Sequence, residues 1–329
     1  MRILVIGLGS MGRRRVRNLK VLGVSDIAGY DPREDRCAAA AEAYGVESFA
    51  DWNAAIAYAA DSWVISTPPL RHLEYAIKAL NAGVHAFTEA DLPDPLCSEV
   101  IRRRDEAGLV VAPSCTMRHY PGPAAVRALV EGNAIGRPLI FTYQSGQYLP
   151  DWHPWEDIGD YYVSHPETGA AREIVPFELV WMTGLFGAVI EATGLKGVSG
   201  VLAAPIDDHY ALALRFASGV TGTLLVDVVA QPEVRVLRIN GTAGTLEWDQ
   251  GAAEVRVRGV SDVDWTVHPL DPGTREAGYI NPEEPYIAEM RDFLAAVRGE
   301  CPYPFTIEDE MALHAVLERV EHDAAERAA

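Results

Sequence analysis

The spacing of apolar residues changes part-way along this chain. Up to about residue 118, short apolar runs without polar alternation are separated by segments in which apolar residues recur every three or four positions, such as 71–82 and 96–107. The runs are Ile3 to Ile6, Asp26 to Tyr30, Trp63 to Ser66, Val84 to Thr88 and Leu109 to Ala112. Such runs are typical of strands covered on both faces, and the intervening segments of amphipathic helices. The alternation predicts an α/β domain with a doubly wound parallel sheet.

After residue 119 the pattern becomes that of successive strands. The segments are Leu139 to Gln147, Tyr210 to Phe216, Thr221 to Val229, Val234 to Asn240 and Glu254 to Arg258. Several of them alternate apolar and polar residues, which predicts a large, mostly antiparallel sheet with helices on one face and the other face open. Two amphipathic helices, near 285–297 and 307–326, close the chain. We therefore predict an α/β domain over 1–118 and an α+β domain over 119–329, with a second copy on the open face, as a homodimer or homotetramer.

The composition disfavours some classes of binding partner and indicates a compartment. The chain has 329 residues, of which 49% are hydrophobic, and a net charge of −19, which disfavours nucleic acid and membrane surfaces. The cysteines lie far apart with no Cys-x-x-Cys pair, and no apolar stretch reaches the ~18 residues of a membrane span. We expect reduced thiols and a cytoplasmic protein. The cysteines are Cys37, Cys97, Cys115 and Cys301.

A glycine-rich motif follows the first predicted strand. In Gly7-Leu8-Gly9-Ser10-Met11-Gly12 the glycines permit a tight turn, close approach of a pyrophosphate and close helix packing, while the helix N-terminus faces the anion. Asp31, at the end of the second strand, suits the ribose hydroxyls of NAD, whereas Arg33 keeps NADP possible. The pattern predicts a Rossmann dinucleotide site with NAD as cofactor. The alternative is a plain glycine-rich turn in a nucleotide-free domain, with Asp31 capping the next helix.

Several segments together resemble the Gfo/Idh/MocA family of sugar and polyol oxidoreductases. They are Gly7 to Leu19, Ser66 to Pro69 with His72, Ala82 to His85 leading to Glu89, Arg118, Ile135 to Pro138 and Asn240 to Thr245. The resemblance implies that Thr67, Pro68 and His72 line the nicotinamide side of the cofactor and that Glu89 lies beside it. The alternative for Thr67 to Pro69 is a simple strand-ending turn.

The chain departs from this family at its catalytic positions. The usual Glu-Lys-Pro is Glu89-Ala90-Asp91 here, so the lysine that hydrogen-bonds the reacting hydroxyl is missing. On the helix that presents substrate in the family, Glu173 occupies the first acidic position. The following His and Asp positions fall on Phe177 and Val180, or the His position falls on Glu178 if the register shifts by one.

An aromatic and acidic stretch offers replacements for the lysine. The loop after 148 holds Trp152, His153 and Trp155, and it continues to Tyr161 and Tyr162. Indole faces suit sugar C–H surfaces, although both tryptophans equally suit an anchored long loop. A histidine of ordinary pKa suits a general base.

The candidate roles follow from these residue types. His153 is the candidate base, with Tyr161 or Tyr162 as alternatives and Glu173 or Glu178 orienting the hydroxyl. Arg118 and Arg172 are candidate carboxylate or phosphate clamps, or partners of nearby acids. We expect no metal site, because the acid and His groups lack zinc spacing. The predicted catalytic residues are His153, Tyr161 and Glu173, and the predicted substrate-binding residues are Arg118, Trp152, Trp155, Tyr162, Arg172 and Glu178.

These features leave three functions open. The first is an NAD(P)-dependent oxidoreductase acting on a sugar, cyclitol or sugar-like alcohol. The second is an enzyme that uses bound NAD transiently in an epimerisation or elimination, with no net redox change. The third is a non-catalytic sensor that keeps the cofactor pocket, which the loss of the lysine favours and the crowded polar loop disfavours.

Overall fold

The structure is a computed structural model that describes residues 1–152, 157–160, 162–277, 279 and 281–328. Its helices are α1 (Ser10–Val21), α2 (Glu34–Tyr44), α3 (Trp52–Ala57), α4 (His72–Asn81), α5 (Cys97–Ala107), α6 (Pro121–Glu131), α7 (Ala170–Phe186), α8 (Glu284–Val297) and α9 (Ile307–Ala328). Its first six strands are β1 (Arg2–Ile6), β2 (Asp26–Tyr30), β3 (Glu47–Phe49), β4 (Ser62–Ile65), β5 (His85–Thr88) and β6 (Val111–Pro113). The others are β7 (Pro138–Tyr148), β8 (Val189–Gly197), β9 (His209–Phe216), β10 (Thr221–Asp227), β11 (Val229–Gly241), β12 (Gly244–Asp249), β13 (Glu254–Gly259) and β14 (Thr266–Pro269).

The chain divides into two compact units. The first comprises Met1–Thr116 and Glu283–Met311, and the second comprises Met117–Pro282 and Ala312–Ala329. The predicted division into 1–118 and 119–329 differs from these units, because the chain returns to the first unit near its end. The return has a physical cause in α8, where Phe293 packs on Phe87 of β5 with ring centroids 5.7 Å apart.

The first unit is built on a parallel sheet. Among the described residues it has six strands in the order β3-β2-β1-β4-β5-β6, all parallel, as the alternation of strands and helices predicts. The side chains of β1 alternate between two apolar clusters: Leu4 and Ile6 belong to one, and Ile3 and Val5 to the other. Because both faces are covered, β1 shows no polar alternation in the sequence.

The second unit is built on a mostly antiparallel sheet. In the described part of the chain its strands run in the order β14-β13-β12-β11-β7-β10-β9-β8, and every neighbouring pair is antiparallel except β7 with β10. Helix α7 covers one face, where Phe186 packs on Phe141 of β7 and Phe216 of β9. The predicted fold class, two different α/β units with an open-faced second sheet, is confirmed.

Strand β9 shows how the sequence pattern maps onto this sheet. Tyr210, Leu212, Leu214 and Phe216 are buried on the helix side, and the residues between them, 211, 213 and 215, are exposed on the other side. The period of two therefore identified the covered and the open face correctly. Within the ranges described, no helix has both the length and the apolar character needed to cross a membrane.

Candidate active site

The glycine-rich loop between β1 and α1 is tightly closed by backbone contacts. Gly7 has a φ of +89°, and its N–H donates to the carbonyl of Tyr30 at 2.8 Å. A Cβ on Gly12 would lie 1.7 Å from the carbonyl oxygen of Gly7, so no other residue fits there. A Cβ on Gly9 would meet only the end of the Arg36 side chain, at 3.6 Å. The backbone at Gly9 is thus open to a ligand, and with the N-terminus of α1 it fits a diphosphate.

Asp31, the predicted ribose acceptor, is also a structural anchor. It is buried, and its two carboxylate oxygens accept the backbone N–H groups of Leu8 at 2.9 Å and Arg33 at 3.0 Å. A carboxylate has about four acceptor sites, so capacity remains for ribose hydroxyls. The side chain of Arg33 pairs with Asp35, whereas Arg36 lies 3.5 Å from Asp31 and beside Gly9. The arginine side chain beside Asp31 is therefore Arg36 rather than Arg33, and the sequence pattern did not single it out.

The carboxyl ends of β4 and β5 place the predicted nicotinamide residues beside this loop. Ser66 follows β4, and its carbonyl oxygen would lie 2.5 Å from a Cβ on Gly7. After Thr67 and Pro68, which form the turn, His72 begins α4 and its Nε2 lies 2.6 Å from the carbonyl oxygen of Thr67. Burial lowers the pKa of His72, against that hydrogen bond, so the ring is neutral at pH 7.

Glu89 is held by an arginine from α1. Arg15 is completely buried and forms a fork on Glu89, with distances of 2.8 Å from Nε and 2.6 Å from Nη2. Ser66 donates to the same carboxylate at 2.8 Å. Burial works to raise the pKa of Glu89, but the charge and hydrogen bonds of Arg15 outweigh it and lower the pKa. Sequence reasoning missed Arg15, although its position four residues before the buried Leu19 places it on the inward face of α1.

Asp91, which stands where the family has proline, is buried in a second polar cluster. Its backbone N–H donates to Glu310 at 3.3 Å, and its Oδ1 lies 3.7 Å from Nδ1 of His72. Burial raises the pKa of Glu310 to about 8, so this acid is mostly protonated at pH 7. The described residues of this cluster include two acids and no lysine, so it supplies no ammonium in place of the one at the family's lysine position.

In the second unit, Glu173 has an unusual environment for a carboxylate. It lies in the first turn of α7, and its oxygens accept the hydroxyl of Tyr162 at 3.0 and 3.3 Å. Burial raises the pKa of Glu173 to about 7, although the Tyr162 hydrogen bond acts to lower it. A carboxyl group with this pKa is half ionised at neutral pH, which suits proton transfer.

Glu178, the other acid of α7, is a structural group. It is completely buried, and it accepts hydrogen bonds from Tyr143 at 2.6 Å, Ser145 at 2.8 Å and Arg235 at 2.7 Å. These donors come from β7 and β11, so the carboxylate fastens α7 to the sheet. The hydrogen bonds shown for Glu178 are thus all to the protein itself, and its predicted contact with substrate stays a prediction.

The two predicted arginine clamps lie apart from Glu173 or are already paired. Arg172 forms a fork on Glu321, at 2.8 and 3.1 Å, and also donates to the carbonyl of Glu167. Arg118 lies against α7 at Gly184, where an added Cβ would be 2.9 Å from its Nη2. Gly184 and Glu173 are separated along the helix by about 16 Å, at 1.5 Å per residue. Neither arginine therefore adjoins Glu173 as an open anion clamp.

The aromatic loop is described only in part. Trp152 is half-buried, and its indole N–H has no hydrogen-bond partner among the described residues. His153, Trp155 and Tyr161 lie outside the described residues, so their predicted roles stay predictions. The described residues also bring together His322, Asp323 and Glu326 as a group of metal-ligand type on α9, far from both sets of candidates in sequence and mostly exposed.

Comparison with family models identifies the chain. Residues 1–111 match the model described as the oxidoreductase family, NAD-binding Rossmann fold, and residues 124–247 match the GFO/IDH/MocA C-terminal domain. The chain belongs to the Gfo/Idh/MocA oxidoreductase family. The predicted family, the oxidoreductase class and the NAD cofactor are confirmed at the level of the family.

Individual relatives agree with this assignment. The chain is 32% identical over 150 residues to a 4-carboxy-2-hydroxymuconate-6-semialdehyde dehydrogenase from Sphingobium sp., a match that covers 44% of this chain and 48% of that protein. The match thus spans about half the length of that curated relative.

Solved structures resemble the chain over nearly all of its length, at identities that establish the fold alone. A levoglucosan dehydrogenase in complex with NADH has a TM-score of 0.84 at 20% identity, with 99% of this chain and 97% of that chain covered. An Agrobacterium radiobacter oxidoreductase in complex with NAD+, L-tartaric acid and magnesium has a TM-score of 0.83 at 18% identity, covering 99% and 97%. A UDP-N-acetylglucosamine 3-dehydrogenase from Acidithiobacillus ferrooxidans has a TM-score of 0.80 at 20% identity, covering 99% and 98%.

The environment of Glu173 predicts a specific pH dependence of stability. Because its pKa rises from 4.5 to about 7 in the fold, the folded state holds a proton that the unfolded state releases. The corresponding stability is present below the unfolded pKa and is lost as pH rises through the folded pKa. Urea denaturation between pH 5 and pH 8 should therefore show the wild type losing stability relative to Glu173→Gln as pH rises.

Replacing Tyr162 should extend the pH range over which the protein loses stability. Tyr162→Phe removes a donor that favours the ionised carboxylate, so the pKa of Glu173 rises further and the loss of stability continues above pH 7. Tyr148→Phe, a change of the same kind before the loop, is the control and keeps the wild-type profile. Identical pH profiles for Tyr162→Phe and Tyr148→Phe would contradict the assigned role of the Tyr162 hydroxyl.

Proposed function

We propose that this protein is an NAD-dependent dehydrogenase that oxidises a CH–OH group of a sugar, cyclitol or sugar-like alcohol, with Glu173 as the proton acceptor. The observation that carries the proposal is the carboxyl group of Glu173, which has a pKa of about 7 and a tyrosine hydroxyl as its hydrogen-bond partner. A family enzyme that lacks the usual lysine needs a group that binds a proton near neutral pH, and Glu173 is such a group.

The residues of the first unit divide the work of holding the cofactor. The backbone at Gly9, Ser10, Met11 and the N-terminus of α1 binds the diphosphate, and Asp31 binds the adenosine ribose. Thr67, Pro68, His72 and Glu89 line the nicotinamide end. When bound, NAD+ supplies the hydride acceptor.

Glu173 then handles the proton. Its carboxylate accepts the hydroxyl proton of the substrate as the C–H bond loses its hydride, which leaves a carbonyl product and a neutral carboxylic acid. The acid releases its proton to solvent before the next turnover. Tyr162 holds the carboxylate and keeps its pKa from rising further, so a useful fraction stays ionised at neutral pH.

The substrate class rests on two kinds of support. Relatives of similar fold carry names of sugar dehydrogenases, and the curated relative is named as a semialdehyde dehydrogenase. In this chain, Trp152 and Trp155 supply flat apolar faces for sugar C–H groups, and the indole N–H of Trp152 is a donor for a hydroxyl. Because Arg118 and Arg172 offer no clamp beside Glu173, we favour a neutral polyol over a phosphorylated sugar.

The alternatives are separated by the fate of the cofactor. Among the described residues Glu173 has no cationic partner, and burying such a carboxylate costs stability, which favours a catalytic role over a non-catalytic sensor. An enzyme that uses NAD only transiently would retain NAD(H) through purification and would not reduce added NAD+. Steady formation of NADH from added NAD+ with a polyol is the outcome that supports a dehydrogenase.

We predict that Glu173→Gln lowers turnover by at least about a hundredfold, the lower range for loss of a general base, with little change in NADH binding. Turnover is measured as NADH formation at 340 nm across a panel of sugars and cyclitols. His153→Ala is the competing variant, since His153 is the other candidate base. A large loss in His153→Ala with near wild-type turnover in Glu173→Gln would transfer the role to His153.

The dinucleotide preference depends on the charge of Asp31. Asp31→Asn keeps an acceptor for one backbone N–H but removes the charge that repels a 2′-phosphate and accepts ribose hydroxyls. We expect NADH affinity to fall by about tenfold or more, and NADPH affinity to fall less or to rise. Tryptophan-fluorescence titration measures both, with Asp35→Asn on the exposed side of α2 as control. Equal changes for the two nucleotides would remove Asp31 from the ribose site.

The open face of the second sheet is the proposed contact with a second copy. Leu195 of β8, Ala211 of β9 and Leu225 of β10 lie in register in one exposed row across this face. An apolar row on an open sheet is commonly covered by a twofold partner. We expect a homodimer or homotetramer in the cytoplasm.

A charge placed in this row should separate the copies. Leu225→Arg should shift the protein to monomer in light scattering coupled to size-exclusion chromatography, because the arginine is buried without a partner in the interface. Val263→Arg, which alters an exposed apolar residue outside the row, should leave the assembly unchanged. A wild-type monomer at micromolar concentration would contradict the proposed contact.

A further inference from the structure

The first unit contains a buried ionic network that the proposed mechanism does not use. Its centre is Arg15, which is 0% exposed and contacts two acids, Glu89 through the fork described above and Glu289 of α8 at 2.8 Å. Glu289 is also 0% exposed and accepts hydrogen bonds from the side chains of Ser114 at 2.9 Å and Thr116 at 2.7 Å. One guanidinium is thus shared between a fully buried carboxylate and a partly buried one.

The two acids differ in what else they touch. Glu289 takes its remaining hydrogen bonds from the segment after β6, so it anchors that segment and the far side of Arg15. Glu89 takes its remaining hydrogen bond from Ser66, whose carbonyl adjoins Gly7 of the phosphate loop. The Arg15 guanidinium also lies over the ring of Phe87, 4.7 Å from its centroid, two residues before Glu89. Arg15 therefore restrains both the backbone and the carboxylate at the end of β5.

Fold stability alone is a weak explanation for such a network. Buried ion pairs cost desolvation, and apolar side chains of similar volume usually stabilise a core at least as well. α1 also carries a second buried ion pair, in which the neighbouring residue Arg14 contacts Glu283 at 2.9 Å. Arg15 differs from Arg14 in its partner: Glu89 directly precedes Ala90, the position where the family has its lysine.

We propose that Arg15 is the positioning residue of the nicotinamide site, and that it acts by holding the Glu89 carboxylate in place at the end of β5. The proposal rests on the proposed function, because it assumes that the nicotinamide ring lies beside Glu89. Arg15 itself touches neither substrate nor cofactor. Its effect on the ring passes through Glu89.

The groups that face Glu89 define its charge. They are Arg15 from α1, the hydroxyl of Ser66 after β4 and the neutral ring of His72 from α4, with Glu289 of α8 behind Arg15. Arg15 and the hydrogen bond from Ser66 lower the pKa of Glu89, so it stays an anion throughout the neutral range. Without Arg15, burial loses the largest influence that opposes it, and the pKa of Glu89 rises.

The test compares two ligands that differ only at the nicotinamide end. NADH carries the ring and ADP-ribose lacks it, so a change at Glu89 alters the binding of NADH, whereas a general collapse of the pocket alters both. The variants are Arg15→Met and Arg15→Lys in the full chain, with Arg14→Met as the matched control for loss of a buried arginine on α1. Binding is measured by calorimetry from pH 5.5 to pH 8, and melting temperature is measured in parallel.

For Arg15→Met we expect NADH affinity to fall by about tenfold or more, the scale of a lost charged hydrogen bond, with less than about threefold change for ADP-ribose. NADH binding should also become pH-dependent, and the double variant Arg15→Met with Glu89→Gln should lose that dependence. Arg15→Lys should lie between wild type and Arg15→Met. Arg14→Met should lower the melting temperature without separating the two ligands.

Two results would overturn the inference. One is an equal loss of NADH and ADP-ribose binding in the Arg15 variants, and the other is unchanged binding of both with only a lower melting temperature. If Arg15→Met does not fold, Arg15→Lys decides by the same comparison, since it keeps the positive charge. Failure of the wild type to bind either ligand would instead refute the proposed function.

Discussion

The structure of the first unit around the glycine-rich loop depends on one steric constraint, the close approach of Gly12 to the carbonyl oxygen of Gly7. A Cβ at Gly12 would lie 1.7 Å from that oxygen, so α1 can approach the end of β1 only through a glycine. This approach directs the helix N-terminus at the loop and brings the next turn of α1 over the sheet. Arg15 lies on that turn and therefore reaches Glu89 at the end of β5. The phosphate loop and the fixed carboxylate are thus consequences of the same close packing.

The second unit uses burial in a different way. Glu178 and Glu173 lie on the same helix, five positions apart, and yet they have opposite surroundings. Glu178 meets a guanidinium and two hydroxyls, so its charge is compensated and it fastens α7 to the sheet. Glu173 meets a single tyrosine hydroxyl from the described residues, and burial raises its pKa to about 7. The difference lies in the partners contributed by other strands and loops.

Much of the fold could be predicted because it follows from local patterns. The alternation of apolar and polar residues in β9 indicates a strand covered on one face. The continuous apolar run of β1 indicates a strand covered on both faces. The glycine motif could be recognised because its requirement is steric and local. The return of α8 to the first unit could not, since an amphipathic helix does not indicate which apolar surface it covers.

The partners of charged side chains were equally hard to foresee. The side chain of Arg172 is of the type that binds anions, but in the fold it pairs with Glu321 of α9. Glu178 is of the type that binds hydroxyl groups, but in the fold it pairs with Arg235 of β11. Arg15 could not be singled out from the sequence, because nothing local shows that Glu89 and Glu289 contact it. Sequence patterns identify which groups are present, whereas long-range pairing decides which remain available for chemistry.

Because Ala90 stands at the family's lysine position, the chemistry depends on which other charged groups remain unpaired. An ammonium beside the nicotinamide would supply both a charge and a proton at one position, and Ala90 supplies neither. The pKa values of Glu89 and Glu173 are displaced in opposite directions, because Arg15 lowers the first and burial raises the second. A carboxylate that stays ionised can orient but cannot exchange protons near pH 7, whereas one with a pKa of about 7 can do so. One unit thus holds a carboxylate whose surroundings keep it ionised, and the other holds an acid whose surroundings let it exchange protons near neutral pH.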